Sequence, residues 1–381
     1  MMRLRYPLTA GELEGSGCAP LEQDPSRRSV RALTARAMPY TLLVHRPGRN
    51  LILTSTAVHY HRPVAIDVLY VSPHADDVGF SAAGQVARDV ASGLRVAVLT
   101  VFEMPEGSPH GAFGERATRR AEDEAFAAIA GVERISAGFD DAIARRPRYR
   151  SPSRILAPLP EDERPLVDAV RERMQSFVKD GCKRVVAPLG IGEHVDHQIV
   201  HEAARTLPDV EVAFYEDTPH VLAGYALAQR LARLGFEPQG GGPPSADPTI
   251  RRGSPWQELA AAVRAWWSLP LLDMMFGVKP GAARKPWWLG IARVIAIVYL
   301  FAPYVLWPRR LRCARPVRPA AASVVRGPDV ATVKLKAIGA YPSQWPCFHL
   351  TLDAWREALE GYARKLSEDG VVERVWRVPQ G

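Results

Sequence analysis

The residues best suited to chemistry begin with one histidine and two adjacent carboxylates. His74, Asp76 and Asp77 lie in the stretch Val-Ser-Pro-His-Ala-Asp-Asp, directly after the apolar run Ile66–Tyr70. Adjacent carboxylates on an irregular turn point in different directions, so one can bind a metal while the other faces a water. Taken alone, the turn fits an equally ordinary structural role, in which Asp77 caps a following helix.

A second group of such residues follows the apolar segment Val185–Leu189. His194 and His197 are three residues apart, with Asp196 between them. If a helix begins near Glu193, the two histidines share one face and can reach one site. Taken alone, this pattern also fits the surface of a helix, so the case for chemistry depends on the two groups meeting.

Together the two groups predict a metal-dependent hydrolase. Zinc is bound by nitrogen and oxygen ligands, and a catalytic site keeps one position open beyond three protein ligands. Three side chains supply such a set: His74, Asp77 and His197. Asp76 is then placed to take a proton from a water that the metal activates. A protonated His194 stabilises the oxyanion and passes its proton to the departing amine, and Asp196 holds that ring.

The elements around these groups alternate between strands and helices. We expect strands at 66–71, 95–102, 132–135, 184–187 and 210–215, and helices at 79–91, 116–130 and 165–179. Strand, helix and strand in succession form a βαβ unit with parallel strands. The sequence therefore predicts an α/β fold with a Rossmann-like parallel sheet flanked by helices. In such sheets ligands bind beyond the carboxyl ends of the strands, where both groups lie.

Composition limits the function classes. The 381 residues are 47% hydrophobic and 24% charged, as in globular proteins. The formal net charge of +8 comes without any nucleic-acid-binding motif, so we expect no nucleic acid partner. The four cysteines show no CxxC spacing and no secretory signal is visible, so we expect a cytoplasmic protein.

An apolar, tryptophan-rich insertion is expected at 237–326, beginning in a segment rich in Gly and Pro. It contains two apolar stretches, 265–276 and 287–307, separated by a polar turn. Three interpretations remain open: a hairpin that dips into a membrane surface, a buried or oligomer-forming helix pair, and a true span. Arg293 interrupts the second stretch and Pro303 breaks its helix, which weighs against the span. Peripheral membrane association through 265–310 is therefore one expectation.

The two motifs resemble the hallmarks of the PIG-L/LmbE family of zinc-dependent N-acetylglucosaminyl deacetylases, a Pro-His-Pro-Asp-Asp-Glu loop and a later His-x-x-His. The resemblance implies one catalytic Zn²⁺, or another divalent metal such as Fe²⁺, and hydrolysis of a sugar acetamide to acetate and an amine. It implies the same ligands and roles as those assigned above. The resemblance runs from about Ala65 to Tyr215, with weaker traces near the end. We expect 39–236 and 327–381 to form the deacetylase domain, and the weak periodicity of residues 1–38 indicates a poorly ordered leader.

The resemblance also implies substrate contacts. Arg119 matches a substrate-contacting arginine, Asp141 a sugar-hydroxyl acceptor, and Gln344 part of a late Tyr-x-Ser-Gln segment. The sequence departs from the family at two positions, with Ala75 in place of the motif's proline and Val78 in place of its glutamate. The loss of the glutamate leaves the substrate open.

The sequence thus predicts a deacetylase acting on an N-acetylated sugar conjugate, such as a glycolipid, a polysaccharide precursor or a glycoside. Two alternatives remain. One is an amidase for a longer acyl group or a thiol-conjugate amide. The other is a non-catalytic, membrane-associated binding protein on the same fold.

Overall fold

The computed structural model describes residues 41–46, 49–54, 65–107, 115–222, 224–239, 286–295, 318–349 and 351–377. The chain divides into two compact units, Met1–Pro63 and Val64–Gly381. In the first unit, β1 (Thr41–Arg46) and β2 (Arg49–Thr54) pair as an antiparallel hairpin. The predicted leader at 1–38 lies outside the described residues.

The second unit is built on one sheet. Its described strands are β3 (Val68–Ser72), β4 (Val96–Glu103), β5 (Glu133–Asp140), β6 (Arg184–Pro188), β7 (Glu211–Tyr215), β8 (Phe236–Gln239), β9 (Arg318–Val325) and β10 (Glu373–Arg377). Their order across the sheet is β5-β4-β3-β6-β7-β10-β9-β8. The first five strands in that order are parallel, whereas β10 runs antiparallel to β7 and β9. The α/β prediction is confirmed, but the sheet is mixed. The prediction of parallel strands came only from the alternating strands and helices between 66 and 215. Strand β10 lies outside this region, and its direction depends on its own connection.

Ten helices of this unit have defined bounds in the described residues. They are α1 (Asp77–Ser81), α2 (Ala83–Ala91), α3 (Arg116–Ala130), α4 (Ala142–Arg145), α5 (Pro152–Ile155), α6 (Arg164–Lys179), α7 (Val195–Arg205), α8 (Gly224–Leu234), α9 (Pro328–Gly339) and α10 (Leu352–Lys365). Alternate residues of β3 face two different apolar clusters, since Leu69 belongs to one and Tyr70 to the other. Helices α6 to α8 cover the first cluster, and α2, α3, α9 and α10 cover the second. The sheet is therefore covered on both faces, as the sequence predicts.

The segment after β3 is two helices where one was predicted. Residue Ala82, with φ −133° and ψ 18°, interrupts the predicted 79–91 helix between α1 and α2. The buried carboxylate of Glu373 accepts the N–H groups of Gly84 and Gln85 at 2.9 and 2.8 Å, which satisfies the new helix start. Glu373 comes from the last strand, so no local pattern could reveal this break.

The predicted elements between 66 and 215 all occur, with ends that differ by a few residues. Helix α3 has the predicted bounds, and the third strand extends to Asp140 instead of Ile135. The division of the chain into domain and insertion stays a prediction. However, β8 and β9 show that the flanks of the predicted insertion, 236–239 and 318–325, belong to the main sheet.

The apolar part of the insertion is described only at 286–295. There Trp287 is 85% exposed and Ile295 is 62% exposed, whereas Leu289 is buried, and the buried or oligomer-forming helix pair stays a prediction. Within the part of the chain that the structure describes, no helix has the length and apolar character needed to cross a bilayer. Membrane association through 265–310 stays a prediction.

Candidate active site

The two motifs meet at the carboxyl edge of the sheet. His74 and Asp77 follow β3, and His194 and His197 follow β6. These strands are parallel neighbours, with Leu69 opposite Val185. Because the carboxyl ends of parallel neighbours lie together, both motifs open onto one edge, as the sequence predicts.

The first motif is a rigid turn. The His74 N–H donates to the Asp77 carboxylate at 2.7 Å. The Ser72 hydroxyl donates to the His74 carbonyl and accepts the Val78 N–H at 3.1 Å. The Val78 side chain is fully buried in the core, so it makes no polar contact at the position where the family motif has a glutamate.

Three predicted ligands form a compact donor group. The Asp77 Oδ2 lies 3.3 Å from His74 Nδ1 and 3.3 Å from His197 Nε2. One ligand atom from each of these residues lies within 4.8 Å of the other two. Two imidazole nitrogens and one carboxylate oxygen at such spacing match the donor chemistry of a divalent metal such as zinc.

A second donor group overlaps the first. It consists of His74, His194 and Asp196, whose ligand atoms also lie within 4.8 Å of one another. The Asp196 carboxylate, however, already accepts Arg145 Nη2 at 2.7 Å and the Ala142 N–H at 2.9 Å. A guanidinium in contact with the carboxylate opposes a second cation there. The group containing Asp77 is therefore the better cation site.

The charges around Asp77 also favour a cation. Burial opposes the charged form of Asp77, but His197 and His74 hold the pKa of this carboxyl well below its usual range. Burial likewise opposes charge on His197, yet the carboxylates of Asp77 and Asp217 raise its pKa to about 9. The negative potential of these carboxylates thus favours protonation of the imidazole rings, and the same potential would attract a metal cation.

Asp76 stands beside this group as the predicted base. Its Oδ1 accepts a hydrogen bond from Arg119 Nη2 at 3.0 Å. Burial is the main cause of a raised pKa at Asp76, with the Asp77 charge adding to it and Arg119 opposing it. A buried carboxylate with a raised pKa suits general base work. Arg119, the predicted substrate-contacting arginine, therefore binds Asp76, and its contact with substrate stays a prediction.

His194 differs from the expectation of a protonated ring. Burial and the neighbouring His74 hold the pKa of His194 well below its usual value. Its Nδ1 accepts the Asp196 N–H at 3.2 Å, so a neutral ring carries its proton on Nε2. The rings of His194 and His74 meet edge to face, with centroids 5.0 Å apart. His194 therefore borders the donor group as a neutral N–H donor.

Asp196 is the residue predicted to hold the His194 ring. Its carboxylate lies 3.2 Å from His74 Nε2, and only its backbone N–H binds the His194 ring. The physical reason is its position in the first turn of α7, where the N–H faces the capping His194. The carboxylate faces α4 and accepts the Ala142 N–H and Arg145 Nη2. Asp196 therefore contacts His74 through its side chain, and its predicted role as the partner of the His194 ring stays a prediction.

The two remaining predicted residues lie in different settings. Asp141 caps α4 by accepting the Ile143 N–H at 3.1 Å, and its Oδ2 is 3.6 Å from His74 Nε2. It therefore lies at the edge of the site, where a sugar contact is feasible. Gln344 is 97% buried, and its amide donates to Ser343 Oγ at 2.6 Å. The sugar contacts of both residues stay predictions.

Sequence reasoning missed two residues next to His197. Asp217, one residue beyond Glu216 after β7, lies 2.6 Å from His197 Nδ1. The second is His220, whose ring stands perpendicular to that of His197, with centroids 6.5 Å apart. The sequence does contain a signal for Asp217, which is an acidic residue just beyond the predicted 210–215 strand. That strand is β7, which lies beside β6 in the sheet, so its carboxyl end lies next to the second motif.

Comparisons with known proteins fit this site. Residues 69–207 match the family model described as PIG-L, GlcNAc-PI de-N-acetylase. The 2'-N-acetylparomamine deacetylase of Streptomyces fradiae is 33% identical over 163 residues, which are 40% of this chain and 57% of that protein. The chain thus spans little more than half the length of this curated relative. The family resemblance seen in the sequence is confirmed.

The fold has solved counterparts. The zinc-inhibited form of the teicoplanin deacetylase Orf2 superposes with a TM-score of 0.50 at 20% identity, over 82% of this chain and 98% of that one. A likeness at this level of identity shows a shared α/β fold.

Proposed function

We propose that the chain is a metal-dependent hydrolase that removes the acetyl group from an N-acetylated amino sugar, and the match of residues 69–207 to the PIG-L family model supports this proposal. One observation carries the proposal. Two motifs 120 residues apart bring His74, Asp77 and His197 within 4.8 Å, with Asp76 adjacent in the chain to one of them. A purely structural role for either motif gives no reason for this convergence.

The donor group indicates which residues would hold the metal. His74, Asp77 and His197 supply two nitrogens and one oxygen, a set suited to Zn²⁺, with Fe²⁺ as the alternative. A divalent cation bound there supplies the Lewis acidity that polarises an amide carbonyl and lowers the pKa of a water.

Asp76 moves the proton. As the water oxygen bonds to the acetyl carbonyl carbon, the Asp76 carboxylate takes one of the water protons. When the C–N bond breaks, that proton goes to the departing nitrogen, which leaves acetate and a free amine. Arg119, 3.0 Å from Asp76 Oδ1, holds the carboxylate in one orientation throughout.

His194 stabilises the charge that develops on the carbonyl oxygen. Its neutral ring carries the proton on Nε2, because Nδ1 accepts the Asp196 N–H. A fixed donor aimed at a developing oxyanion typically lowers the barrier by about 2.7–4 kcal/mol. This neutral role replaces the protonated His194 that the sequence alone suggested.

The substrate class follows from the two sequence comparisons. The family description names an N-acetylglucosaminyl lipid, and the relative from Streptomyces fradiae is named for an N-acetylated aminoglycoside. The chemistry common to both is an acetamide on an amino sugar. We therefore place an N-acetylated sugar conjugate in the site of this chain.

Acetate release from N-acetylglucosamine conjugates tests the proposal. We expect Asp76→Asn to lose roughly 100- to 10,000-fold in kcat while it retains zinc, because the base is lost and the ligands remain. His74→Ala should lose both activity and zinc. The matched control is Asp168→Asn, which alters an exposed carboxylate on α6 and should change neither.

Two results would refute the proposal. Full activity after complete removal of metal would exclude the metal-dependent mechanism. Tight zinc binding without acetate release from any sugar conjugate would favour the non-catalytic binding protein. Faster cleavage of longer acyl groups would instead favour the alternative amidase.

A further inference from the structure

His197 has two ring nitrogens with different partners. Its Nε2 faces Asp77 at 3.3 Å, on the side of the donor group. Its Nδ1 lies 2.6 Å from the Oδ1 of Asp217. A histidine ligates a metal through an unprotonated nitrogen, so a ligating Nε2 requires the proton on Nδ1. The acceptor at Nδ1 therefore determines whether His197 can bind.

Asp217 is itself held in place. Its second oxygen, Oδ2, accepts the N–H groups of Gly190 and Ile191, both at 2.8 Å. Gly190 has φ +82°, and a Cβ there would approach the Arg230 side chain to 2.7 Å. The loop thus needs glycine to direct these two N–H groups at the carboxylate. Asp217 is 99% buried, so no exposed surface competes for its oxygens.

The neighbours of Asp217 anchor it to distant parts of the chain. The buried carboxylate of Glu216 accepts hydrogen bonds from Arg374 Nε at 2.7 Å and Trp376 Nε1 at 2.8 Å in β10. The Thr218 N–H donates to Ser81 Oγ at 3.0 Å. Ser81 is the last residue of α1, the helix that begins with Asp77. The segment 216–218 therefore joins the two motif loops to each other and to the last strand.

From these contacts we infer that Asp217 is the positioning residue of the metal centre. It fixes the proton of His197 on Nδ1 and leaves Nε2 free to bind the cation. The inference rests on the proposed function for the presence of a metal, and it adds a fourth side chain that the family motifs do not include. Outer carboxylates of this kind typically raise metal affinity by about 10- to 100-fold.

Asp217→Asn tests the inference with almost no change in size. The N–H groups of Gly190 and Ile191 require an acceptor, so the amide oxygen must face them. The amide NH₂ group then faces His197 Nδ1 and favours the tautomer with the proton on Nε2. We expect the dissociation constant for Zn²⁺ to rise about 10- to 100-fold, measured on the purified full chain by competition with a chromogenic chelator.

Glu216→Gln is the matched control. It removes the charge of an equally buried carboxylate in the adjacent position, which contacts Arg374 and not His197. We expect it to lower the free energy of unfolding while the zinc dissociation constant stays within about threefold of wild type. Equal losses of zinc affinity in both variants would overturn the inference, because they would indicate a general structural effect.

A measurement on the wild type covers the case in which Asp217→Asn does not fold. In the zinc-loaded chain, long-range ¹H–¹⁵N spectra should show a proton on His197 Nδ1 and none on Nε2. The opposite pattern would overturn the inference. If the wild type binds neither Zn²⁺ nor Fe²⁺, the proposed function fails instead. If it binds zinc but Asp217→Asn binds equally well, only the inference fails.

Discussion

Two histidines on the same helix show how surroundings set chemistry. His197 and His201 are one turn apart on α7, and both are buried. Burial opposes charge on each ring, yet Asp77 and Asp217 raise the pKa of His197 to about 9. Burial and the nearby Arg230 lower the pKa of His201 to about 3. Residue type and spacing alone cannot separate a ligand from a core histidine.

The contacts of His201 explain the difference. Its Nδ1 lies 3.1 Å from the Pro188 carbonyl, and its ring packs on Phe214 with centroids 4.4 Å apart. Among the described residues, none hydrogen-bonds to its Nε2. His201 belongs to neither of the donor groups found among the described residues, so it has no second ligand with which to share a metal. His201 is therefore part of the core beneath the site.

The largest expected effect separates the two residues by zinc affinity. His197→Gln should weaken zinc binding by more than about 100-fold, beyond the range for outer residues, because it removes a ligand. His201→Gln should stay within about threefold of wild type. Chelator competition measures both, and a comparable loss in His201→Gln would break the contrast.

A smaller effect concerns acid stability. The folded pKa of His201, about 3, lies below the ordinary value of 6.5, so between these values the unfolded chain binds the proton and the folded chain does not. This contribution to stability is complete above pH 6.5 and is lost as the pH falls below it. At pH 5.5 the loss is about 1.4 kcal/mol relative to pH 7.5.

Urea unfolding of wild type and His201→Gln at the two pH values measures this contribution. The variant should show a pH-dependent loss that is smaller by about 1.4 kcal/mol. An identical pH dependence in both proteins would mean that His201 is not held neutral in the folded chain.

The smallest expected effect tests whether burial or the charge of Arg230 is the main cause of the low pKa of His201. Arg230→Gln removes the cation that contributes to the low pKa of His201, but burial is the larger cause. The folded ring should remain neutral at pH 5.5. The pH-dependent loss should then match the wild-type loss within about 0.3 kcal/mol, well below the value of one pKa unit. A loss reduced by half would identify Arg230 as the main cause.

Much of the site could be predicted because its residues are encoded locally. His74, Asp77 and His197 each follow an apolar strand that periodicity reveals, and parallel strands bring such ends together. The helical spacing of 116–130 predicted the bounds of α3, and the structure shows that Gly131 ends this helix in the left-handed conformation.

The missed features depend on contacts between distant parts of the chain. The break at Ala82 follows from Glu373, which lies almost 300 residues later in the sequence. The contacts of Asp196 depend on Arg145, which belongs to α4, about 50 residues earlier in the chain. Asp217 can be recognised as a neighbour of His197 only once β7 is known to lie beside β6. No local sequence pattern contains these partners, so the contacts could be recognised only in the folded structure.

The position of the bound metal tests the central claim most directly. Anomalous diffraction at the zinc edge from crystals of the zinc-loaded chain should give one peak bounded by His74, Asp77 and His197, with Asp76 next to it but not bound. A peak bounded by His74, His194 and Asp196, or no peak in protein that releases acetate, would contradict the account.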